Sequence, residues 1–388
     1  MTAYLKSLTW ALALALVLPS GCRQHQAGAP GVTPAVATPG PPAAAAPVPP
    51  RAFDLTAVGD IMLDRSVEKM IKQRGCAWII EEVAPDLARA DITFANLESP
   101  LSTVGYHDPP NCAFRANPLY VKVLTLAGID LVTFANNHCT DPGREGYLQT
   151  LQHLDEAGIK YVGAARERAQ ASWLRVLTVN GLKVGFLGFT DLDFPVGCPS
   201  RVPQDLSKHR QVIAAAKNKC DLLVVTYHWG QEYWEHPCDR QKQVGHAAVE
   251  AGADLILGHH PHVLEGIEVY QGRPILYSMG NFIFDMSEGP KMESAIFNLH
   301  YAEDQGWTVR VVPVYLPRHR LGPQYPSSEK RDALLRRFAG YCRKLGTATQ
   351  TEDGVLVVSA PVSSPAAASV APPTTLGQET TNATVPSR

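Results

Sequence analysis

From Phe53 onward, short β-rich runs alternate with helical stretches, and most of those runs end directly in a polar cluster instead of a neutral turn. The runs are Phe53 to Val58, Ile92 to Ala95, Leu131 to Ala135, Val184 to Phe189, Leu222 to Tyr227 and Leu255 to Leu257. Between them, Pro118 to Ala127, Arg144 to Ala157 and Arg240 to Ala251 read as helices stopped near Gly128, Gly158 and Gly252, because glycine accepts the left-handed backbone that closes a helix. Strands alternating with helices build an α/β sheet. Two later segments, Ala295 to His300 and Trp307 to Tyr315, alternate apolar and polar residues with no helix between them, which predicts antiparallel strands. Two packed sheets flanked by helices accommodate both patterns in one large domain, 53–345.

The polar clusters carry the chemistry. Val58 leads into Gly59-Asp60, Ala95 into Asn96-Leu97-Glu98, Ala135 into Asn136-Asn137-His138, Tyr227 into His228-Trp229-Gly230, and Leu257 into Gly258-His259-His260-Pro261-His262. In α/β sheets the carboxyl ends of neighbouring strands open on one crevice, so these residues are expected to meet there. Asp, Glu, Asn and His together suit Mn²⁺, Zn²⁺ or Fe²⁺ better than the all-oxygen shells of Ca²⁺ or Mg²⁺, and one or two such ions would support hydrolysis. Taken singly, each cluster has a structural alternative. Gly59-Asp60 could be a turn or a helix cap, Asp64 reads as structural, the Asn pair tolerates tight turns, and His228 could be a satisfied core histidine. Three imidazoles in four residues around Pro261 have little packing value, and this segment points most strongly to metal binding.

The two ends of the chain differ from the core. An apolar run from Trp10 to Leu18 follows Lys6 and leads to Pro19-Ser20-Gly21-Cys22, which reads as a secretory signal, 1–22, in the manner of a bacterial lipoprotein lipidated at Cys22. Plain secretion is the alternative, since Pro19 stands where an aliphatic residue is usual. The run is too short to span a bilayer, which takes roughly 20 apolar residues. The Ala/Pro-rich stretch 23–52 is expected to act as a spacer, and the low-complexity tail 346–388 to lack a core of its own. A net charge of −2 with no basic run disfavours nucleic acid as a partner. No Cys-x-x-Cys pair occurs. Export permits disulfides, with Cys76–Cys112 and Cys198–Cys238 as candidate pairs and buried thiols as the alternative.

In this order the clusters, with Asp141, Gly143, Glu232-Tyr233, Gly252-Ala253-Asp254 and Tyr277-Ser278-Met279-Gly280-Asn281-Phe282, resemble the CapA family of poly-γ-glutamate capsule synthesis proteins from about Ala57 to Phe284. The resemblance implies a metallophosphoesterase-like fold, a four-layer α/β/β/α sandwich with two packed mixed sheets. It implies metal ligands at Asp60, Glu98, Asn137, His228, His260 and His262, and an acid histidine at His138. Arg115, Asn136, Glu232, Tyr233, His259 and Asn281 become candidates for contact with substrate. The chain departs from the metallophosphoesterase pattern in having Asp60-Ile61-Met62 where Asp-x-His is usual, and Glu98 in place of the second aspartate motif. The expected activity is that of an exported cell-envelope protein, a metal-dependent hydrolase or transferase for amide or phosphoester bonds of an anionic surface polymer or its precursor. Capsule-synthesis membrane proteins are its expected partners. A noncatalytic polymer-binding component of an export machinery and a secreted phosphoesterase are the alternatives.

Overall fold

The computed structural model describes residues 50–105, 113–167, 170, 174–192, 200–286 and 288–362. In chain order its strands are β1 (Ala52–Ile61), β2 (Ile92–Leu97), β3 (Leu131–Thr133), β4 (Lys160–Val162), β5 (Arg175–Val179), β6 (Leu182–Thr190), β7 (Leu222–His228), β8 (Leu255–His259), β9 (Ile267–Tyr270), β10 (Arg273–Leu276), β11 (Asn281–Ile283), β12 (Glu293–Ala302), β13 (Gly306–Tyr315), β14 (Gln350–Glu352) and β15 (Val355–Pro361). Its helices are α1 (Arg65–Arg74), α2 (Cys76–Ile80), α3 (Ala84–Leu87), α4 (Val121–Leu126), α5 (Gly143–Glu156), α6 (Leu206–Lys217), α7 (Asp239–Glu250) and α8 (Ser328–Lys344).

One sheet runs β14-β15-β13-β12-β1-β2-β3-β4, with β11 against the end of β1; the other runs β5-β6-β7-β8-β10-β9. Both are mixed. Strands β1 to β4 are parallel, as are β6, β7, β8 and β10, whereas β12, β13 and β15 join antiparallel, as their alternating sequence predicts.

The period-2 geometry of a strand decides the layers. Leu55, Ala57, Phe94 and Leu131 point inward and meet Val184, Leu222, Val224, Leu255 and Leu257 of the facing sheet. The intervening Val58, Ala95 and Val132 point outward onto Val67 and Ile71 of α1 and Leu151 and Leu154 of α5. On the far side Leu223, Val225 and Ile256 meet Ile213 of α6 and Val244 and Ala248 of α7. The order is therefore helices, sheet, sheet, helices, the four-layer α/β/β/α sandwich.

The folded part extends beyond the limit expected at Leu345. β14 and β15 lie past it, and β15 pairs along β13 from Gly306↔Pro361 to Val311↔Leu356, burying Leu356, Val358 and Ala360 between the sheets. The alternation that drives this pairing is only a few residues long and is stabilised by a strand about fifty positions earlier, so composition alone hides it. The expected helix at Pro118 opens as a 3-10 turn, with Asn117 Oδ1 accepting from the Leu119 amide at 3.0 Å, before α4. No disulfide joins any two of the described Cys76, Cys139, Cys220, Cys238 and Cys342. Cys112, Cys198 and Cys22, like the rest of the 1–22 signal, lie outside the described residues, and among the described residues no helix is long and apolar enough to cross a membrane.

Candidate metal centre

Register brings the strand-end clusters together. Asp60 on β1 stands opposite Asn96 on β2 and Asn281 on β11, while His228 at the end of β7 stands opposite His259 on β8. Two glycines make the approach possible: a Cβ on Gly59 would lie 1.9 Å from the Gly280 carbonyl oxygen, and one on Gly258 would lie 2.0 Å from that of Tyr277. Only glycine fits immediately before Asp60 and His259. After β8 the backbone turns sharply, with His260 at φ +98° and His262 at φ +59°. Such backbone is costly for a side-chain-bearing residue and clusters at functional sites; here it swings two imidazoles back over β1.

The contacts converge on two buried carboxylates. Asp60 Oδ1 accepts from Asn96 Nδ2 at 2.8 Å and lies 3.0 Å from His259 Nδ1, while Oδ2 lies 3.3 Å from His262 Nδ1. Glu98 Oε2 accepts from Asn96 at 3.3 Å, and its Oε1 lies 3.4 Å from His262 Nε2 and 3.9 Å from His138 Nε2. The chain lacks the histidine two places after Asp60, yet an imidazole still reaches both carboxylates, delivered by the loop after β8. Beside this group, Asn137 Oδ1 lies 2.7 Å from His228 Nε2, and the His228 and His260 rings are 4.8 Å apart.

Electrostatics sorts the two acids. Burial opposes ionisation of Asp60, but hydrogen bonds from His259 and His262, and their charge, outweigh it and hold the carboxyl well below the usual range. Burial dominates at Glu98 and pushes it well above that range. Burial also opposes charge on His262, which the Glu98 charge and the Asp60 hydrogen bond nevertheless lift to about 9. Burial, then the neighbouring imidazole charge, holds His260 down at about 3 and His228 well below its ordinary value. Both are neutral, the form that binds metal, whereas His262 would release its proton to an entering ion.

Three buried atoms of this cluster, Glu98 Oε1, His259 Nε2 and His260 Nδ1, have no hydrogen-bond partner. Leaving such atoms unmet costs about 1–3 kcal/mol each, so a cluster that keeps several of them has the character of a coordination site. Donor atoms of Asp60, Glu98 and His262 lie within 4.8 Å of one another, and so do those of Glu232, His260 and His262. The mixed oxygen and imidazole donors fit a divalent transition metal.

His138 stands at the edge of this group. Its Nδ1 lies 2.7 Å from Asp141 Oδ2, which also accepts from the Phe114 amide, and its Nε2 lies 2.9 Å from Asn137 Nδ2. The Phe114 ring packs 4.0 Å from the imidazole. Asp141 therefore orients His138 without occupying the nitrogen that faces the centre.

The residues expected to touch substrate divide into two sets. Asn136, His259 and Asn281 are fully buried and act within the protein: Asn136 donates to Asn96 Oδ1 at 3.0 Å and to the Leu97 carbonyl at 2.8 Å, His259 meets Asp60, and Asn281 Oδ1 lies 2.9 Å from His262 Nδ1. All three lie inside the cluster, where they position the donors. Glu232 and Tyr233 are exposed at the mouth, and Tyr233 stands 6.3 Å from the His262 ring. Arg115 directs Nη1 to the Gly105 carbonyl at 2.8 Å, and its amide donates to Asp64, which caps α1 as its structural reading predicts. From sequence Asn96 belonged to the strand-end cluster with no role of its own; in the structure its amide bridges both carboxylates. Its one signal was alternation, because a residue two before Glu98 on a strand shares its face.

Fold and site together define a class: an α/β/β/α sandwich with a candidate divalent-metal centre built by both sheets. The chain belongs to the bacterial capsule synthesis protein family PGA_cap, whose pattern matches residues 54–286. It is 34% identical over 307 residues to the PGA biosynthesis protein CapA of Bacillus subtilis, covering 77% of this chain and 80% of that one. It is 35% identical over 274 residues to the capsule biosynthesis protein CapA of Bacillus anthracis, covering 67% of this chain and 66% of that one. A solved 5'-nucleotidase from Candida albicans superposes with a TM-score of 0.38 at 12% identity, covering 76% of this chain and 58% of that chain.

Proposed function

We propose that this protein acts in the production of poly-γ-glutamate or a related capsule polymer at the cell envelope, as a metal-dependent hydrolase or transferase of amide or phosphoester bonds. The convergence of two buried carboxylates and the imidazoles of His228, His260 and His262 beside an oriented, largely buried His138 carries this reading. Asp60, Glu98 and His262 would hold one divalent ion, with Asn137, His228 and His260 disposed for a second and Glu232 at the mouth. A bound divalent ion would supply Lewis acidity and lower the pKa of a coordinated water.

The chain's own residues perform the rest. Asn96 fixes both carboxylates through one amide, and Asn281 fixes His262. His138, held by Asp141 through Nδ1, stands where it can give a proton to a departing amine or alkoxide. Phe114 and Phe284 pack against His138 and His262 and keep bulk water from those rings. The chemistry suits the names of the Bacillus relatives, which assign them to PGA and capsule biosynthesis. Export, with Cys22 as a lipid anchor, belongs to the same reading.

Elemental analysis of the chain freed of its signal is expected to find one or two equivalents of transition metal, and none in the His260→Ala, His262→Ala double variant. With polymer as substrate, His138→Ala should retain metal and fold while turnover falls about 10²–10⁴-fold. A metal-loaded parent that binds polymer but releases nothing overturns the catalytic reading in favour of a noncatalytic binding component; release of phosphate from small esters alone would make it a phosphoesterase.

A further inference from the structure

A cavity of about 390 Å³ opens on the sheet that contains β1, β12 and β13, on the face turned away from the second sheet. Register builds its floor. Asp54 and Thr56 on β1 stand opposite His300 and Asn298 on β12, while Asn298 and Ile296 stand opposite Arg310 and Val312 on β13. Leu55 and Ala57 point between the sheets, so the period-2 geometry of the strand turns Asp54 and Thr56 to the other side. From Asp54 to Asp60 of the metal centre, β1 runs about 20 Å at roughly 3.3 Å per residue, so the cavity lies apart from the proposed chemistry.

One wall is Tyr325, whose side chain is large, apolar over its ring and 40% exposed. Its loop is tied down. The Tyr325 amide donates to Glu82 Oε1 at 2.8 Å, Gln324 Nε2 donates to Glu82 Oε2 at 3.0 Å, and the phenol donates to Asp86. An exposed ring fixed before any ligand arrives loses little freedom on binding. The charged groups around the cavity are matched in sign: Asp54 lies 2.8 Å from His300, Asp86 2.8 Å from Arg89, and Arg310 3.4 Å from Glu352. A lining balanced in this way selects neither an anion nor a cation. It still holds hydrogen-bonding capacity, since carboxylates keep further lone pairs and guanidinium groups further donors, and Asn298, whose Oδ1 accepts from Thr56 Oγ1 at 2.8 Å, keeps its amide N–H groups. An extended peptide has no edge to join here, because β1, β12 and β13 are each paired on both sides.

We propose that this cavity binds a neutral oligosaccharide, with one pyranose ring resting its C–H face on Tyr325 and its hydroxyls exchanging hydrogen bonds with Asn298, Arg310 and Asp54. A sugar ring joins an apolar face to hydroxyls that each donate and accept, and the lining offers the complement of both: an aromatic wall, and donors and acceptors without net charge. The volume falls within the range of small-ligand pockets, about 300–1,000 Å³. The site is independent of the metal centre and of the polymer reading above, and it would give the protein a hold on a glycan apart from its chemistry.

The test is saturation-transfer NMR and calorimetry on the full chain with three neutral probes, cellotetraose, chitotetraose and mannotetraose, and with tetragalacturonate as the charged comparison. The parent should bind at least one neutral probe with Kd on the order of 0.1–1 mM, equally with and without chelator, and tetragalacturonate about tenfold or more weakly. Tyr325→Phe keeps the ring and should bind as the parent does. Tyr325→Ala should lose about tenfold or more, and Arg310→Met, which changes an exposed side chain, about threefold or more, with metal content unchanged in both. A parent that binds none of the neutral probes, or prefers the charged one, overturns the proposal. So does binding that chelator abolishes, or that survives intact in both Tyr325→Ala and Arg310→Met, since either would place the sugar elsewhere.

Discussion

Glu265 shows what burial does to a single residue away from the proposed chemistry. It is 1% exposed, its Oε2 accepts from Gln241 Nε2 at 2.9 Å, and its Oε1 has no partner. Burial pushes the carboxyl up to about 8, with the Gln241 hydrogen bond pulling weakly the other way. A group whose folded pKa is raised gives its full stability below the unfolded value, and that stability is lost as pH rises through the folded value. The parent should therefore weaken between about pH 4.5 and pH 8, by an amount on the order of a few kcal/mol. Glu265→Gln keeps the acceptor and removes the proton, so its urea midpoint should stay flat over that range and exceed the parent's at pH 9. A variant weakened equally at every pH would show that the acid is needed as an acid. The same scale contains the legible part of the site: Asp60, Glu98, His228, His260 and His262 were readable because each follows a β-run directly. Asn96 was not, because its role depends on which neighbour its amide faces across the sheet.

At the scale of the element, β15 closes the inner face of β13. It buries Leu356, Val358 and Ala360 against the layer that contains Trp307, Val309 and Val311. Each large aliphatic buried contributes about 1.5–3 kcal/mol, so losing the strand removes a large part of the stability of an ordinary domain. A chain ending at Thr349 should melt well below the parent or aggregate through the exposed edge of β13, while one ending at Val362 should match the parent. Equal melting of all three would mean that β15 is an ornament on the sheet. Composition could not locate this strand, since its alternation is brief and lies next to the Ala/Pro/Ser/Thr-rich tail.

At the scale of the whole molecule, the donors come from both sheets: Asp60, Glu98 and Asn137 from one, His228, His260 and His262 from the other. A bound ion would therefore bridge the two layers and, by mass action, stabilise the folded state by about 2.7 kcal/mol at a hundredfold excess over Kd. Chelation should lower the melting temperature by about 5 °C, reversed by added metal, and the His260→Ala, His262→Ala variant should respond to neither. A parent indifferent to chelator and metal would place the donors outside any shared coordination. The alternation of runs, the donor types at their ends and the family are local properties, carried by side-chain period and residue order, and the sequence alone determined them. Which donor meets which was decided only in the tertiary structure. Asp60 and His259 are 199 positions apart. Their contact depends on strand register, on two glycines that let strands close and on left-handed turns at His260 and His262, whose local cost is met only by contacts made across the fold.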